Sequence, residues 1–235
     1  MAEPIAAEGG CCRAPGCRAW VPVVLDPDLP AIRCQNGSLE LAHGERCLVE
    51  TIDGQYLGSV TSFTAPIVRE PRSASRVIRR ASSEDEKRAE DVRHLEREIF
   101  DDLRARAREL DLPIKVIKVR LSLFGRKAVV LFGSEQRVDF RPLLRELGRR
   151  HRRRFEMRPL GVRDAARVTG GIGPCGRCVC CTTFMDRFHS VTVRMAKRQN
   201  LSLNPTKISG LCGRLMCCLA HEVDQYPSGG GRRSM

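Results

Sequence analysis

The chain has 235 residues, of which 42% are hydrophobic, so it can bury a core and is not a wholly disordered protein. Its 41 basic and 28 acidic residues give a formal net charge of +13, an excess that alone does not identify a partner. No apolar run approaches the roughly 20 residues of a membrane helix, and the first residues lack the basic flank and apolar stretch of a secretory signal. We therefore expect a cytoplasmic protein with no transmembrane segment.

Residues 1–19 are predicted to form a disordered leader, because glycine, proline and small residues dominate this segment. The leader holds three of the twelve cysteines of the chain, at Cys11, Cys12 and Cys17. Two adjacent cysteines followed by a third invite the hypothesis of a metal-binding role. A variable segment with incidental cysteines is the alternative that we favour.

Residues 20–66 are predicted to form a small antiparallel β-module. An Asn-Gly pair at residues 36–37 and an Asp-Gly pair at residues 53–54 each lie between short stretches of strand-forming residues, which is typical of two β-hairpins. Residues 67–82 contain Pro71 and several arginines and serines, and we expect them to connect the module to the next domain.

Residues 83–168 are predicted to form a domain with the element order α-β-β-α-β. Ser83 is followed three residues later by Glu86, which is a capping box, and apolar residues then recur at steps of three and four. Two strands follow, and Asp139 can cap a second helix that ends near Gly148, before a last strand. This order favours helices packed on an antiparallel sheet, which is an α+β fold.

A run of basic residues follows the second predicted helix, and residues 141–167 hold ten arginines against three acidic residues. The arginines that could contact RNA or an acidic partner are Arg149, Arg150, Arg152, Arg153 and Arg154. Such a run attracts polyanions through the release of counterions. A solvated helix end is the alternative, because the helix dipole favours basic residues at a C-terminus.

Residues 169–222 are cysteine-rich and are predicted to bind metal, and residues 223–235 are predicted to be a disordered tail. The pattern C-G-R-x-x-C-C occurs twice in this region, with the two copies offset by 37 residues. The repeated cysteines are Cys175, Cys180, Cys181, Cys212, Cys217 and Cys218. Duplication of five matched positions argues against chance, and a cytoplasmic protein is not expected to use these cysteines for structural disulfides.

Three chemistries fit the repeated motif. Zinc needs four ligands in a tetrahedron, and two cysteines from each copy could supply them. An iron–sulfur cluster also needs four thiolates, so six cysteines exceed one cluster and fall short of two unless a partner supplies ligands. Thiol redox chemistry could use the C-x-x-C formed by Cys178 and Cys181. Buried, inert cysteines are the remaining alternative.

The sequence contains no recognisable enzyme site. No serine nucleophile elbow is present, and the glycines at residues 170–173 are not followed by the Lys-Ser/Thr of a phosphate-binding loop. The five histidines form no pair with metal-ligand spacing, although His189 and His221 lie near the cysteines. We therefore expect a non-catalytic protein.

The segments at residues 170–181 and 195–219 strongly resemble the RicT (YaaT) family of bacterial regulatory proteins, whose C-terminal region is named after a yeast polymerase-suppressor protein. The resemblance implies ligation of a 4Fe–4S cluster by the six repeated cysteines, with some ligands coming from partners. Cys178 departs from the family pattern and is a candidate extra ligand or redox residue.

The same resemblance implies a place in a protein complex. RicT-like proteins are cytoplasmic and act with two small helical partners, RicA and RicF. In Gram-positive bacteria this complex acts with the endoribonuclease RNase Y in RNA processing and affects development. The resemblance therefore implies a regulatory adaptor, and a zinc-stabilised nucleic-acid-binding protein is the alternative that the residues leave open.

Overall fold

The structure, a computed structural model, describes residues 19–26, 31–61, 67–68, 75–134, 136–185 and 188–226. The leader cysteines Cys11, Cys12 and Cys17 lie outside these ranges, as do nearly all of the predicted leader and most of the predicted tail. Within these ranges, no helix is long and apolar enough to cross a bilayer.

Nine strands and seven helices are found in the described part of the chain. The strands are β1 (Ala19–Val24), β2 (Ala31–Gly37), β3 (Arg46–Thr51), β4 (Gly54–Val60), β5 (Ile67–Val68), β6 (Ser75–Arg80), β7 (Lys115–Leu121), β8 (Lys127–Gly133) and β9 (Arg154–Pro159). The helices are α1 (Ser83–Glu109), α2 (Arg141–His151), α3 (Val162–Thr169), α4 (Cys180–Thr183), α5 (Val193–Arg198), α6 (Pro205–Ile208) and α7 (Cys218–His221). A turn of 3₁₀ helix at Val223–Gln225 follows, where the tail was predicted to begin.

The N-terminal β-module is a sheet that closes on itself. Its strand order is β1-β4-β3-β6-β2-β5, and β1 also pairs with β2, so five strands form a small barrel to which β5 is added. Closure leaves few unpaired strand edges. Small apolar side chains fill the interior, among them Val23, Val49 and the fully buried Cys34 and Cys47. These two cysteines are therefore hydrophobic core residues of the module.

One hairpin prediction for this region is confirmed, and the structure differs from the sequence prediction at three points. The Asp-Gly pair at residues 53–54 joins β3 and β4 as an antiparallel hairpin. The Asn-Gly pair at 36–37 is not a hairpin turn, because β2 continues to Gly37 and pairs with β1. The expected connector contains β6, which buries Ser75 and Val77 and pairs with both β3 and β2. The β2–β6 and β2–β5 pairs are parallel, so the module is a mixed sheet.

The second domain has the predicted α-β-β-α-β order. β7 and β8 are antiparallel, but β8 and β9 are parallel, so its sheet is mixed rather than antiparallel. Helices α1 and α2 bury side chains such as Leu103 and Leu147 against this sheet. The N-cap of α1 is Ser82 with Asp85, one residue earlier than predicted. Helix α2 extends past Gly148 to His151. Its N-cap position is Phe140, and the side chain of Asp139, one residue earlier, accepts a hydrogen bond from the N–H of Arg141 at 3.0 Å.

Asp53, in the turn between β3 and β4, links the barrel to the second domain. Its carboxylate accepts hydrogen bonds from Lys127 Nζ at 3.0 Å and from Arg158 Nη1 at 2.6 Å. Lys127 also pairs with Glu156 at 2.8 Å. Gly54 stands beside this link, where an added Cβ would lie 2.4 Å from Ser122 Oγ. The turn is therefore fixed by charge and by close packing.

We expect Asp53→Ala to lower the free energy of unfolding by about 1–2 kcal/mol, because two partly buried cations would lose a carboxylate partner. Chemical denaturation of the wild type and the variant measures this change. Asp101→Ala, which removes an exposed carboxylate from α1, is the matched control. Equal destabilisation by the two substitutions would contradict a linking role for Asp53.

Candidate functional site

The two copies of the cysteine motif form two loops with the same conformation. We call residues 171–181 the first cysteine loop and residues 208–218 the second cysteine loop. The glycine after the first cysteine has positive φ in both, +77° at Gly176 and +74° at Gly213. This conformation is readily adopted only by residues such as glycine. The glycine of the motif is therefore required by the turn.

Three backbone hydrogen bonds hold the first cysteine loop. The N–H of Gly173 donates to the carbonyl of Arg177 at 2.8 Å, and the N–H of Gly176 donates to the carbonyl of Gly173 at 3.0 Å. The N–H of Val179 donates to the carbonyl of Gly171 at 3.1 Å. These bonds turn the chain so that the first cysteine stands at the tip, while the adjacent cysteine pair begins α4.

The second cysteine loop repeats these bonds at the positions 37 residues later. Gly210 donates to Arg214 at 2.8 Å, Gly213 donates to Gly210 at 2.9 Å, and Met216 donates to Ile208 at 2.9 Å. Of residues 211–221, only the end, at Cys218–His221, is helical, because the glycine of the motif favours a turn before it.

The two cysteine loops lie against each other. Gly171, with φ at +124°, approaches the second loop so closely that an added Cβ would stand 2.9 Å from Leu211 Cδ2. Arg163 on α3 donates from Nη2 to the carbonyl of Leu215 at 3.0 Å. The ring of Phe184, just after α4, lies 5.2 Å from the ring of His221 on α7. Contacts at three points thus hold the motifs together.

The cysteines of one loop influence those of the other. Burial raises the pKa of the Cys180 thiol, and the nearby Cys217 and Cys175 raise it further. Burial likewise raises the pKa of Cys181, and Cys217 and Cys212 add to the increase. Like charges disfavour each other's ionisation in this way only at close range. The structure therefore brings together thiols that are far apart in the sequence.

Cys218 belongs to the same group. Burial raises its pKa to about 11, and Glu222, Cys180 and Cys217 contribute to the increase. All six repeated cysteines are thus neighbours of at least one other. A bound cation would reverse the effect, because it stabilises thiolates and releases their protons.

Soft thiol donors of this kind suit zinc or an iron–sulfur cluster. In the described part of the chain, however, no three Cys, His, Asp or Glu side chains already stand in the arrangement of a metal site. The donor set therefore fits such a group chemically, although the side chains are not placed for ligation. Metal binding by these residues stays a prediction.

Cys178 and the two nearby histidines occupy the edge of this region. Cys178 corresponds in position to Leu215 of the second loop, and each residue forms a β-bridge within its own loop, Cys178 with Ile172 and Leu215 with Ser209. The Cys178 thiol is exposed, whereas Cys181, its partner in the C-x-x-C, is buried. His189 is exposed, and His221 contacts Phe184.

Two arginines of α3 belong to the site and were not predicted from the sequence. Arg167 is buried, and its positive charge lowers the pKa of Cys181 against the larger effect of burial. Arg163 and Arg167 lie one helical turn apart, and their guanidinium carbons stand 5.2 and 5.9 Å from the centre of the Phe188 ring. The Arg-x-x-x-Arg spacing on an amphipathic helix just before the motif was the available signal.

The basic run lies on other elements, at the end of α2 and the start of β9. Arg150 donates to Asp102 Oδ1 at 2.8 Å, and Arg153 donates to the carbonyl of Gly125 at 3.0 Å. Burial lowers the pKa of Arg153. These two arginines are therefore committed to intramolecular contacts. The other three members of the run, Arg149, Arg152 and Arg154, are exposed.

Comparison with known proteins gives two family matches. The family described as PSP1 C-terminal conserved region matches residues 75–160, which contain β6 to β9. The family described as PSP1-like protein, third domain, matches residues 190–231, which contain the second cysteine loop. The stage 0 sporulation protein YaaT of Bacillus subtilis (strain 168) is 41% identical over 188 residues, which cover 79% of this chain and 68% of YaaT. No solved structure matches the chain.

Proposed function

Since the chain belongs to the YaaT (RicT) family of bacterial PSP1-type regulatory proteins, we propose that its two cysteine loops bind a 4Fe–4S cluster in a non-catalytic regulatory subunit. The resemblance expected from the cysteine motifs is thereby confirmed. The observation that carries the proposal is the repeated loop, in which matching hydrogen bonds place three cysteines of each copy in one region. Zinc bound by two cysteines from each loop is the alternative.

We propose further that partner proteins complete the ligand set. Each 4Fe–4S cluster takes four thiolates, so two clusters require eight, whereas the repeated motif offers six. RicA-like and RicF-like proteins are the proposed partners, with an RNase Y-type endoribonuclease where the organism has one. In such a complex the chain would act in the cytoplasm as an adaptor that modulates RNA processing and bacterial development.

Purification of the full chain under anaerobic conditions tests the proposal. A brown protein with visible absorption, iron and acid-labile sulfide is the expected result, because thiolate-bound iron is the chromophore. Iron near eight atoms per chain in the isolated protein would contradict ligand sharing with partners. A colourless protein that holds one tightly bound zinc would contradict the cluster proposal and would support the alternative, a structural zinc site.

RNA binding by the basic run is a second candidate function, favoured by one observation. Arg149, Arg152 and Arg154 are exposed, and none of them forms an ion pair within the described ranges. Three guanidinium groups free of carboxylates near one helix end can contact phosphates of a single strand. Arg150 and Arg153 contribute less, because both are engaged within the protein.

We expect the triple variant Arg149→Gln, Arg152→Gln and Arg154→Gln to flatten the salt dependence of binding to single-stranded RNA. Each lost phosphate contact reduces the log–log slope by about 0.7, so the change should be about two. Binding is measured at several salt concentrations. The matched control changes three exposed arginines elsewhere, Arg104, Arg108 and Arg137, to glutamine. The same slope for both triple variants would show that the run is only a solvated surface.

A further inference from the structure

A cleft of about 820 Å³ lies between the barrel and the second domain, far along the chain from the cysteine loops. Its walls come from the ends of β1 and β4, from the middle of α1 and from β7. This volume is in the range of clefts that hold small-molecule ligands. The floor is apolar, with side chains such as Leu57, Phe100 and Leu121.

A stacked pair of side chains forms one wall of the cleft. The guanidinium carbon of Arg120 lies 4.4 Å from the centre of the Tyr56 ring. The stack presents a planar cation, a surface on which a nucleobase can lie. Tyr56 is only 7% exposed, and its buried hydroxyl has no hydrogen-bond partner in the described part of the chain. Buried hydroxyls normally have one, so this wall is incomplete without a further group.

Two arginines of α1 supply positive charge at the cleft. Arg93 and Arg97 are one helical turn apart, and both line the cleft. Arg93 forms an ion pair with Glu90 at 2.6 Å. For Arg97, no carboxylate lies within 4 Å among the residues that the structure describes. An arginine with unused donors is suited to bidentate binding of a phosphate.

A carboxyl group completes the polar lining. Glu96 lies between the two arginines in sequence, and its Oε1 accepts a hydrogen bond from the N–H of Leu121 at 2.7 Å. Burial raises the pKa of Glu96. Its Oε2 accepts no hydrogen bond within the described ranges, so it can accept one from an amino group on a ligand.

We propose that this cleft binds a nucleotide with an exocyclic amino group on its base. The base lies on the stack of Arg120 and Tyr56, with its amino group near Glu96, and the phosphate binds to Arg97 and Arg93. The apolar floor excludes water from the faces of the ring. The cleft shares no residue with the cysteine loops. Nucleotide binding here would therefore be a second binding function, separate from the proposed cluster site.

Calorimetric titration of the full chain with AMP tests this proposal. Saturable binding of one AMP per chain is expected. Adenosine, which lacks the phosphate, and ribose 5-phosphate, which lacks the base, should each bind at least about tenfold more weakly, because each loses a set of charged or stacking contacts. Absence of saturable AMP binding would overturn the proposal, and so would equal affinity for AMP and ribose 5-phosphate.

Two substitutions locate the binding. Arg97→Gln should weaken AMP binding by about tenfold, because a hydrogen bond to a charged group is lost. Tyr56→Phe keeps the stacked ring and should weaken binding about threefold. Arg104→Gln on the same helix removes the same charge outside the cleft and is the control. Equal affinities for Arg97→Gln and Arg104→Gln would place the nucleotide elsewhere and overturn the proposal.

Metal and sulfide content, measured in the same samples, separates this site from the cysteine loops. Unchanged metal content in Arg97→Gln together with weakened AMP binding is the expected outcome. Cys212→Ser should in turn leave AMP affinity unchanged. Absence of AMP binding would therefore not contradict the cluster proposal. Absence of bound metal would likewise not contradict the nucleotide-binding proposal.

Discussion

Replacing Cys180 and Cys217 together with serine should reduce the metal content of the anaerobically purified protein to background. Cys217 raises the pKa of Cys180, Cys181 and Cys218, and Cys180 also raises that of Cys218, so these two thiols affect the most others. Serine keeps the size of the side chain but does not supply a thiolate ligand. Iron, sulfide and zinc assays on monomeric, folded protein measure the effect.

Two single variants serve as controls for this experiment, and a third tests one further cysteine. Cys34→Ser and Cys47→Ser change cysteines that are fully buried in the barrel, so they should lower stability but leave the metal content unchanged. Cys178→Ser removes an exposed thiol of the first cysteine loop and tests its role as an extra ligand. Unchanged metal in the Cys180 and Cys217 double variant would refute ligation by the repeated motif.

Asp85→Ala should lower the free energy of unfolding by about 2–3 kcal/mol, the largest stability change that we expect for a single polar residue. Asp85 is 3% exposed, accepts from Ser82 N–H at 2.9 Å at the start of α1, and accepts from Arg79 Nη2 on β6 at 2.9 Å. The substitution removes a helix cap and a partner of a cation at once. Chemical denaturation at neutral pH measures the change.

The same residue predicts a pH dependence. The hydrogen bond from Arg79 is the largest cause that lowers the pKa of Asp85, from 3.8 to about 2. The pKa is lower in the folded state, so the ionised carboxylate stabilises the fold above about pH 4 and loses this effect as pH falls toward 2. The difference in stability between wild type and Asp85→Ala should shrink over that interval. Glu84→Ala removes an exposed carboxylate from the same helical turn, one that accepts no hydrogen bond from Arg79, and is the matched control.

Local signals predicted the second domain well. The helix at Ser83–Glu109 follows from apolar spacing and an acidic first turn, both of which are properties of consecutive residues. The capping pair was displaced by one residue because Asp85 also bonds Arg79, a contact that the helix sequence does not contain. Hydrophobic periodicity thus located the element, and a tertiary contact fixed its first residue.

Predictions failed where strands depend on distant partners. At residues 36–37 the Asn-Gly pair suggested a hairpin because apolar residues follow it, but Leu39 and Leu41 pack on the barrel core from a loop. The arginine-rich β6 suggested a connector because its charges obscure an alternating pattern. Arg76 and Arg80 pair with Glu50 and Glu45 across the module, which the local sequence cannot indicate.

In the candidate site too, features set by local sequence were predicted and features set by distant contacts were missed. The repeated cysteines were found from the sequence because their spacing is duplicated, and glycine at matching positions follows from the turn. Arg163 and Arg167 were missed, since their partners, Leu215 and Cys181, lie on segments that only the fold brings near α3. Five arginines within six residues suggested one surface, but Arg150 and Arg153 form hydrogen bonds within the protein.

The hydrogen bonds of the two cysteine loops have a consequence for how a ligand would be captured. Each loop is closed by bonds among its own residues, over a span of about ten positions, and needs no ligand to take its shape. The conformational entropy of ordering these turns is therefore lost when the chain folds, not when a metal arrives. Because contacts already hold the two loops against each other, a ligand that bridges them has little further chain ordering to impose. Capture should then be fast and reversible without unfolding, which distinguishes this region from small domains that are unstructured until metal binds.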